Sequence, residues 1–224
     1  SKIDAKTDRA IRDDNRLFGI SDVDDVSRER IFMEFNKVKE KARTNNDPNI
    51  IKRFVDMLID YGIMEQIFPV ITKHKSIKPT TYLTVAIAEV LRDNEPNDSF
   101  KDILVGARIP SNFVDIISIL IKIYREGVNS DNVYDLYRDV SSKHVRKDIL
   151  EEWFRVMNFN TKEYTKFLDY RPSTNGNDVA RQGFRGANIG REIKRIEGDK
   201  FNKLINESVI KFSDYKNKDE VNEN

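Results

Sequence analysis

The sequence predicts an all-α protein built as an elongated multi-helix array. Three observations carry this. Apolar residues recur every three to four positions, as at Ile31, Phe35, Val38 and Ala42, which places them on one helical face. No run alternates apolar and polar residues over a useful length, so no half-buried strand is expected. Capping residues, Pro and Gly stand where such helices must start and stop, at Asp47-Pro48, Tyr61-Gly62, Pro110-Ser111 and Gly127.

The elements follow in chain order. Ile3, Ala10, Ile11, Leu17 and Phe18 make a partial stripe among charged neighbours. The next helix starts at Ser27, whose hydroxyl suits a first-turn N–H, with Glu29 beside the positive end of the dipole. Arg30 and Glu34 lie one turn apart and can pair. Asp47 caps a second helix with Pro48 at its first position. Its buried face is Phe54, Val55, Met57 and Leu58, and Gly62 ends it. A short apolar step, Ile63 to Phe68, leads to Pro69. Pro79-Thr80 opens a helix over Thr81–Arg92 with Leu83, Ile87, Val90 and Leu91 inward, and Asp98-Ser99 can cap Phe100–Val105. Pro110-Ser111 starts a helix apolar nearly all round, from Phe113 to Ile123, the expected centre of the core. Helices over Asp131–Val140, Val145–Met157 and Thr161–Tyr170 follow, and no internal repeat is visible.

Composition bounds the function. At 224 residues the chain is one large domain or two small ones, able to bury about 70% of its unfolded surface. It has no cysteine, which excludes a disulfide framework and a Cys-ligated metal and fits a reducing compartment. The net charge of +1 sums 39 basic and 38 acidic residues, so only local clustering could mark a nucleic-acid surface. No apolar run is long enough for a bilayer and the N-terminus lacks a signal-peptide core. A soluble cytoplasmic protein without a membrane partner is expected.

Candidate chemistry is sparse before the tail. Asp22-Val23-Asp24 has no glycine-rich turn before it and no strand carrying it, so it reads as a solvated linker and not a metal site. His74 and His144 stand among Lys and Arg without ligand spacing and read as surface residues. Most aromatics recur at helical spacing and read as core, not as a base-stacking surface. Tyr134, Tyr137 and Arg138 stay open, because Asp135 and Asp139 flank them.

The stretch Arg171–Glu197 is richer in Gly and Asn than anything before it. Asn175-Gly176 opens a short helix, Gly183 and Gly186 make a second turn, and Asn188-Ile189-Gly190 opens a basic helix. Arg191, Lys194 and Arg195 cluster on one face of it. With Arg181, Arg185, Asn188 and the N–H groups of a helix start they could cradle phosphate. The same glycines could equally serve close helix packing, and the residues alone do not choose. The spacing is no Walker loop, since no Gly-Lys-Ser/Thr follows. From Lys200 the chain is charged, helical to about Phe212 and then expected to be disordered.

Two groups of motifs carry a resemblance. Ser27-Arg28-Glu29-Arg30-Ile31 with Glu34 and Lys37, then Met57-Leu58-Ile59-Asp60-Tyr61-Gly62-Ile63-Met64 and Ile67-Phe68-Pro69, resembles the neck and early body of class II tRNA nucleotidyltransferases. These are the CCA-adding enzymes and related bacterial poly(A) polymerases. Asn175-Gly176-x-Asp178-Val179, Gly183 and Gly186-x-x-Ile189-Gly190-x-x-Ile193 resembles a motif of the family tail, with Ala187 where Pro is usual. Ile3, Thr7, Ala10 and Ile11 match the segment that follows the family's catalytic half. The resemblance thus covers Ile3 to about Glu197.

The resemblance implies neck and early body over 1–69, helical body over 70–170 and tail over 171–212, and the charged composition implies disorder over 213–224. It implies a grip on the acceptor and T arms of tRNA by Arg181, Arg185, Asn188, Arg191, Lys194 and Arg195. Arg28, Glu29, Arg30 and Glu34 would form the neck motif that braces a nucleotide pocket. The family's head, with its Asp-x-Asp pair holding magnesium and its CTP and ATP, has no counterpart in these residues. This chain would therefore hold no cofactor or catalytic residue of its own, and would work with a head on a separate or removed segment. A non-catalytic helical adaptor for another protein is the alternative, and a complete enzyme in one chain is disfavoured.

Overall fold

The computed structural model describes residues 4–13, 28–68, 76–93 and 109–216. These form α1 (Ala5–Asp13), α2 (Arg28–Thr44), α3 (Asn49–Asp60), α4 (Met64–Ile67), α5 (Leu83–Leu91), α6 (Ser111–Glu126), α7 (Val133–Ser142), α8 (Lys147–Met157), α9 (Lys162–Asp169), α10 (Gly176–Arg181) and α11 (Ala187–Lys216). No strand occurs among the described residues; the protein is all-α. Ser27, Asp22 to Asp24, Pro69, His74 and the expected helix at Phe100–Val105 lie outside the described residues. The chain divides into two compact units, residues 1–121 and 122–224, with the division inside α6. The motif-based boundaries at 69 and 170 fall within these units.

In the first unit, α3 packs on α2, α4 and α5. Asp47 Oδ1 accepts from Asn49 N–H at 2.9 Å and Arg53 holds Oδ2 at 3.0 Å. The Asn49 N–H first, then Arg53, keep this carboxyl below its usual range. Pro48 stands one position before the helix, not inside it. Gly62, at φ +66°, ends α3 with Ile63 N–H on Leu58 O and Gly62 N–H on Ile59 O, both at 2.9 Å. This is the Schellman arrangement that glycine allows. Asn46, at φ +48°, ends α2 the same way.

Phe35 centres this core, edge-on to Phe54 at 5.1 Å and to Phe68 at 6.4 Å. The inward stripe of α3 is Ile51, Val55 and Leu58. Phe54 and Met57 lie at its edge, half-buried.

The helix buried nearly all round is α5, not α6. Leu83 and every residue from Val85 to Leu91 are buried. On α6, Asp115, Ser118 and Lys122 interrupt the apolar face, and Phe113 and Ile116 are half-buried. Glu89 lies among the α5 residues, where its Oε2 accepts from Lys78 N–H at 2.9 Å and burial pushes its carboxyl up.

In the second unit, Gly127 ends α6 at φ +69°. Asn129 and Asn132 then bond each other's backbone N–H groups through their side chains, at 3.2 and 3.0 Å. That turn delays α7 to Val133, two residues after the expected start. His144 and Asn158 occupy the left-handed stops of α7 and α8, at φ +51° and +62°. The α8 face is the expected one, with Ile149, Leu150, Trp153, Phe154 and Val156 buried. Phe159 stacks on Tyr164 at 4.3 Å and Tyr124 stands edge-on to Trp153 at 6.4 Å, which places these aromatics in packing.

The long helix α11 packs on α7, α9 and α10. It comes so close to the turn before α7 that a Cβ on Gly198 would lie 2.3 Å from Ser130 O. It continues to Lys216, past the expected end near 212, and residues 217–224 lie outside the described set.

Candidate nucleic-acid interface

The tail motif folds into a helix–turn–helix hairpin, α10 and α11. Asn175 Oδ1 accepts from Asp178 N–H at 2.9 Å, so the Asn of the motif is a side-chain N-cap. Val179 on α10 and Ile193 on α11 are buried where the helices pack. A Cβ on Gly176 would touch Ile189 Cγ2 at 3.7 Å. The turn needs glycine twice, at Gly183 (φ +96°) and Gly186 (φ +56°).

Gly190 differs from these. It is helical and exposed, and a Cβ there would meet no atom within 4 Å. A glycine in the first turn of a helix is less favourable than alanine by up to about 0.5–1 kcal/mol, and no contact described for Gly190 recovers that cost. The close-packing reading therefore holds for Gly176 at most.

The six sequence-predicted side chains divide by what holds them. Arg181, Arg185, Asn188 and Arg191 are exposed around the turn and the first turns of α11. Arg185 and Arg191 have no ion-pair partner among the described residues. Arg181 is 82% exposed and lies 3.5 Å from the exposed Asp178, a pair that water largely screens.

The other two are engaged. Lys194 Nζ bonds Asp135 on α7 at 2.6 Å. Arg195 reaches Glu192 through Nε and Nη2, at 3.0 and 2.6 Å, and Asp199 through Nη1 at 2.8 Å. Its guanidinium holds the Glu192 carboxyl below its usual value. The spacing that put Lys194 and Arg195 beside Arg191 also put acids within one helical turn, at Glu192 and Asp199. These two cations are paired on the surface of α11, unlike Arg185 and Arg191.

Arg138 lies 5.9 Å over the Tyr134 ring, and Tyr137 meets Tyr170 edge-on at 5.7 Å, which places Tyr137 in packing. In the neck motif, Arg28 and Glu29 begin α2 and their side chains fall outside the described residues. Arg30 is exposed, and Glu34 pairs with Lys37 at 2.6 Å.

Sequence reasoning missed the best-bonded group of the tail. Glu197, on α11, is fully buried. Its Oε2 accepts from Tyr170 Oη at 2.7 Å. Its Oε1 accepts from the N–H groups of Ser173 and Thr174 at 3.1 and 2.8 Å, from Thr174 Oγ1, and from Lys200 Nζ at 3.0 Å. Burial alone would raise this carboxyl, but the bonds from Thr174, Tyr170 and Lys200 win and hold it at about 2. Burial and the Glu197 charge push the Tyr170 phenol far up. In sequence Glu197 is one charged residue among many, and nothing there marks it as buried.

Among the described residues no group of three or more His, Asp or Glu could hold a metal, and no helix is long and apolar enough to cross a membrane. Comparison with protein-family models, curated proteins and solved structures found no match.

Proposed function

We propose that the α10–α11 hairpin grips the folded end of a tRNA. In this reading the chain is the neck, body and tail portion of a CCA-adding tRNA nucleotidyltransferase, whose head on another segment adds nucleotides to the 3′ end. One observation carries the reading. Asn175, Val179, Gly183, Gly186 and Ile193 of the tail motif each cap, bury or turn the hairpin, whereas Gly190 does none of these. It stands exposed beside Arg191, on the same hairpin as Arg185. A bare backbone on a hairpin that also carries the exposed Arg185 and Arg191 suits the close approach of a sugar–phosphate chain. Such contacts position without reading sequence, which suits a protein that must accept every tRNA. Magnesium and CTP or ATP belong in this reading to the head.

The glycine supplies the test. Gly190→Ala raises thermal stability, by up to about 0.5–1 kcal/mol, and weakens binding of a tRNA acceptor minihelix in a gel shift. A stabilised variant with unchanged affinity contradicts the proposal. Mixed with a family head domain, the chain is expected to support CCA addition to truncated tRNA. The adaptor alternative calls for an apolar patch; the large apolar side chain exposed among the described residues is Met33, at 58%.

A further inference from the structure

We infer that Glu197 is the positioning residue of this hairpin: it ties the segment before α10 to the third turn of α11 and thereby sets where Arg181, Arg185 and Arg191 stand. For its affinity readout this inference rests on the tRNA reading above. Residues 170–175 form no helix, so their backbone polar groups need other partners. Glu197 supplies them, accepting from Ser173 and Thr174 N–H and from the Tyr170 and Thr174 hydroxyls. Lys200 Nζ closes the arrangement on Ser173 Oγ at 2.6 Å and Thr174 Oγ1 at 2.8 Å. Asn175, which caps α10, follows directly.

The donors come from both ends of the hairpin and meet at one carboxylate. A helix of six residues such as α10 cannot hold itself in place, and Val179 supplies its buried apolar anchor. A satisfied buried network fixes one arrangement where apolar packing alone would permit several. Tyr170 extends the arrangement into the core, edge-on to the buried Phe201 at 5.5 Å.

The experiment compares wild type, Glu197→Gln and Thr174→Ala in the full chain. It reads minihelix affinity at fixed salt, Trp153 fluorescence for the fold, and amide exchange at Ser173, Thr174 and Asp178. Removing a negative charge near RNA would by itself tighten binding. The inference predicts the opposite sign: Glu197→Gln binds about tenfold more weakly, with Trp153 unchanged and exchange at the three amides faster, as for a site whose support has loosened. Affinity equal to or tighter than wild type overturns the inference. Should Glu197→Gln fail to fold, Thr174→Ala decides: a loss of about threefold with faster exchange at Asp178 supports it, and no change in either overturns it. If wild type binds no RNA, the tRNA reading falls. Exchange at Asp178 in Thr174→Ala then decides the inference alone, faster exchange supporting it and unchanged exchange overturning it.

Discussion

His144 holds the left-handed stop of α7 with a side chain, where Gly62 and Gly127 hold theirs without one. A Cβ in that conformation costs on the order of 1 kcal/mol. His144→Gly is therefore expected to raise stability by about that amount, read as a higher urea midpoint with an unchanged slope. Gly198 carries the opposite case. Its Cβ would lie 2.3 Å from a backbone oxygen, which cannot swing aside as a side chain can. Gly198→Ala is expected to destabilise by about 1–3 kcal/mol despite the helix propensity of alanine, and thermal melting checks it. Gly62 and Gly127 were legible as stops because the apolar period ends there. Asn46, His144 and Asn158 were not, because polar residues take that conformation only where the rest of the chain imposes it.

At the scale of the element, the hairpin shows what pattern can and cannot give. Asn175, Gly183, Gly186 and the apolar positions could be placed from the motif, because each answers a local demand. Asn175→Ala is expected to cost about 1 kcal/mol of stability by removing the cap and to lower minihelix affinity with it, measured by thermal melting and by anisotropy. Which cations stay open was not legible. Lys194 meets Asp135 from another helix, 59 residues away, and Arg195 is claimed by acids on its own helix. The most enclosed helix, expected at α6, was misplaced for a related reason. The run in α6 is richer in Ile, yet α5 is the helix buried nearly all round, and enclosure depends on neighbours that periodicity does not name.

For the whole molecule, one buried carboxylate in each unit responds to pH, and the two do so with opposite sign. In the second, the Glu197 carboxyl lies at about 2 against an ordinary 4.5. Its stabilisation is present above pH 4.5 and is lost as pH falls toward 2, on the order of 3 kcal/mol. Trp153, the chain's one tryptophan, lies in that unit, so its fluorescence should show a falling urea midpoint over that window, with the fall reduced in Glu197→Gln. In the first unit, burial raises Glu89. Its contribution is present below pH 4.5 and is lost as pH rises through its raised value. Glu89→Gln should remove that part of the pH dependence from the melting of the first unit, followed by amide exchange in α5.

The grip itself is tested most directly by the salt dependence of minihelix binding in wild type and Arg185→Ala/Arg191→Ala. Taking one guanidinium away from a phosphate should lower the slope of log affinity against log salt by about one unit. The account predicts steep salt dependence for wild type and a slope shallower by about two units in the double variant, with Trp153 fluorescence unchanged. Equal slopes for the two proteins, or no salt-sensitive binding by wild type, would contradict it.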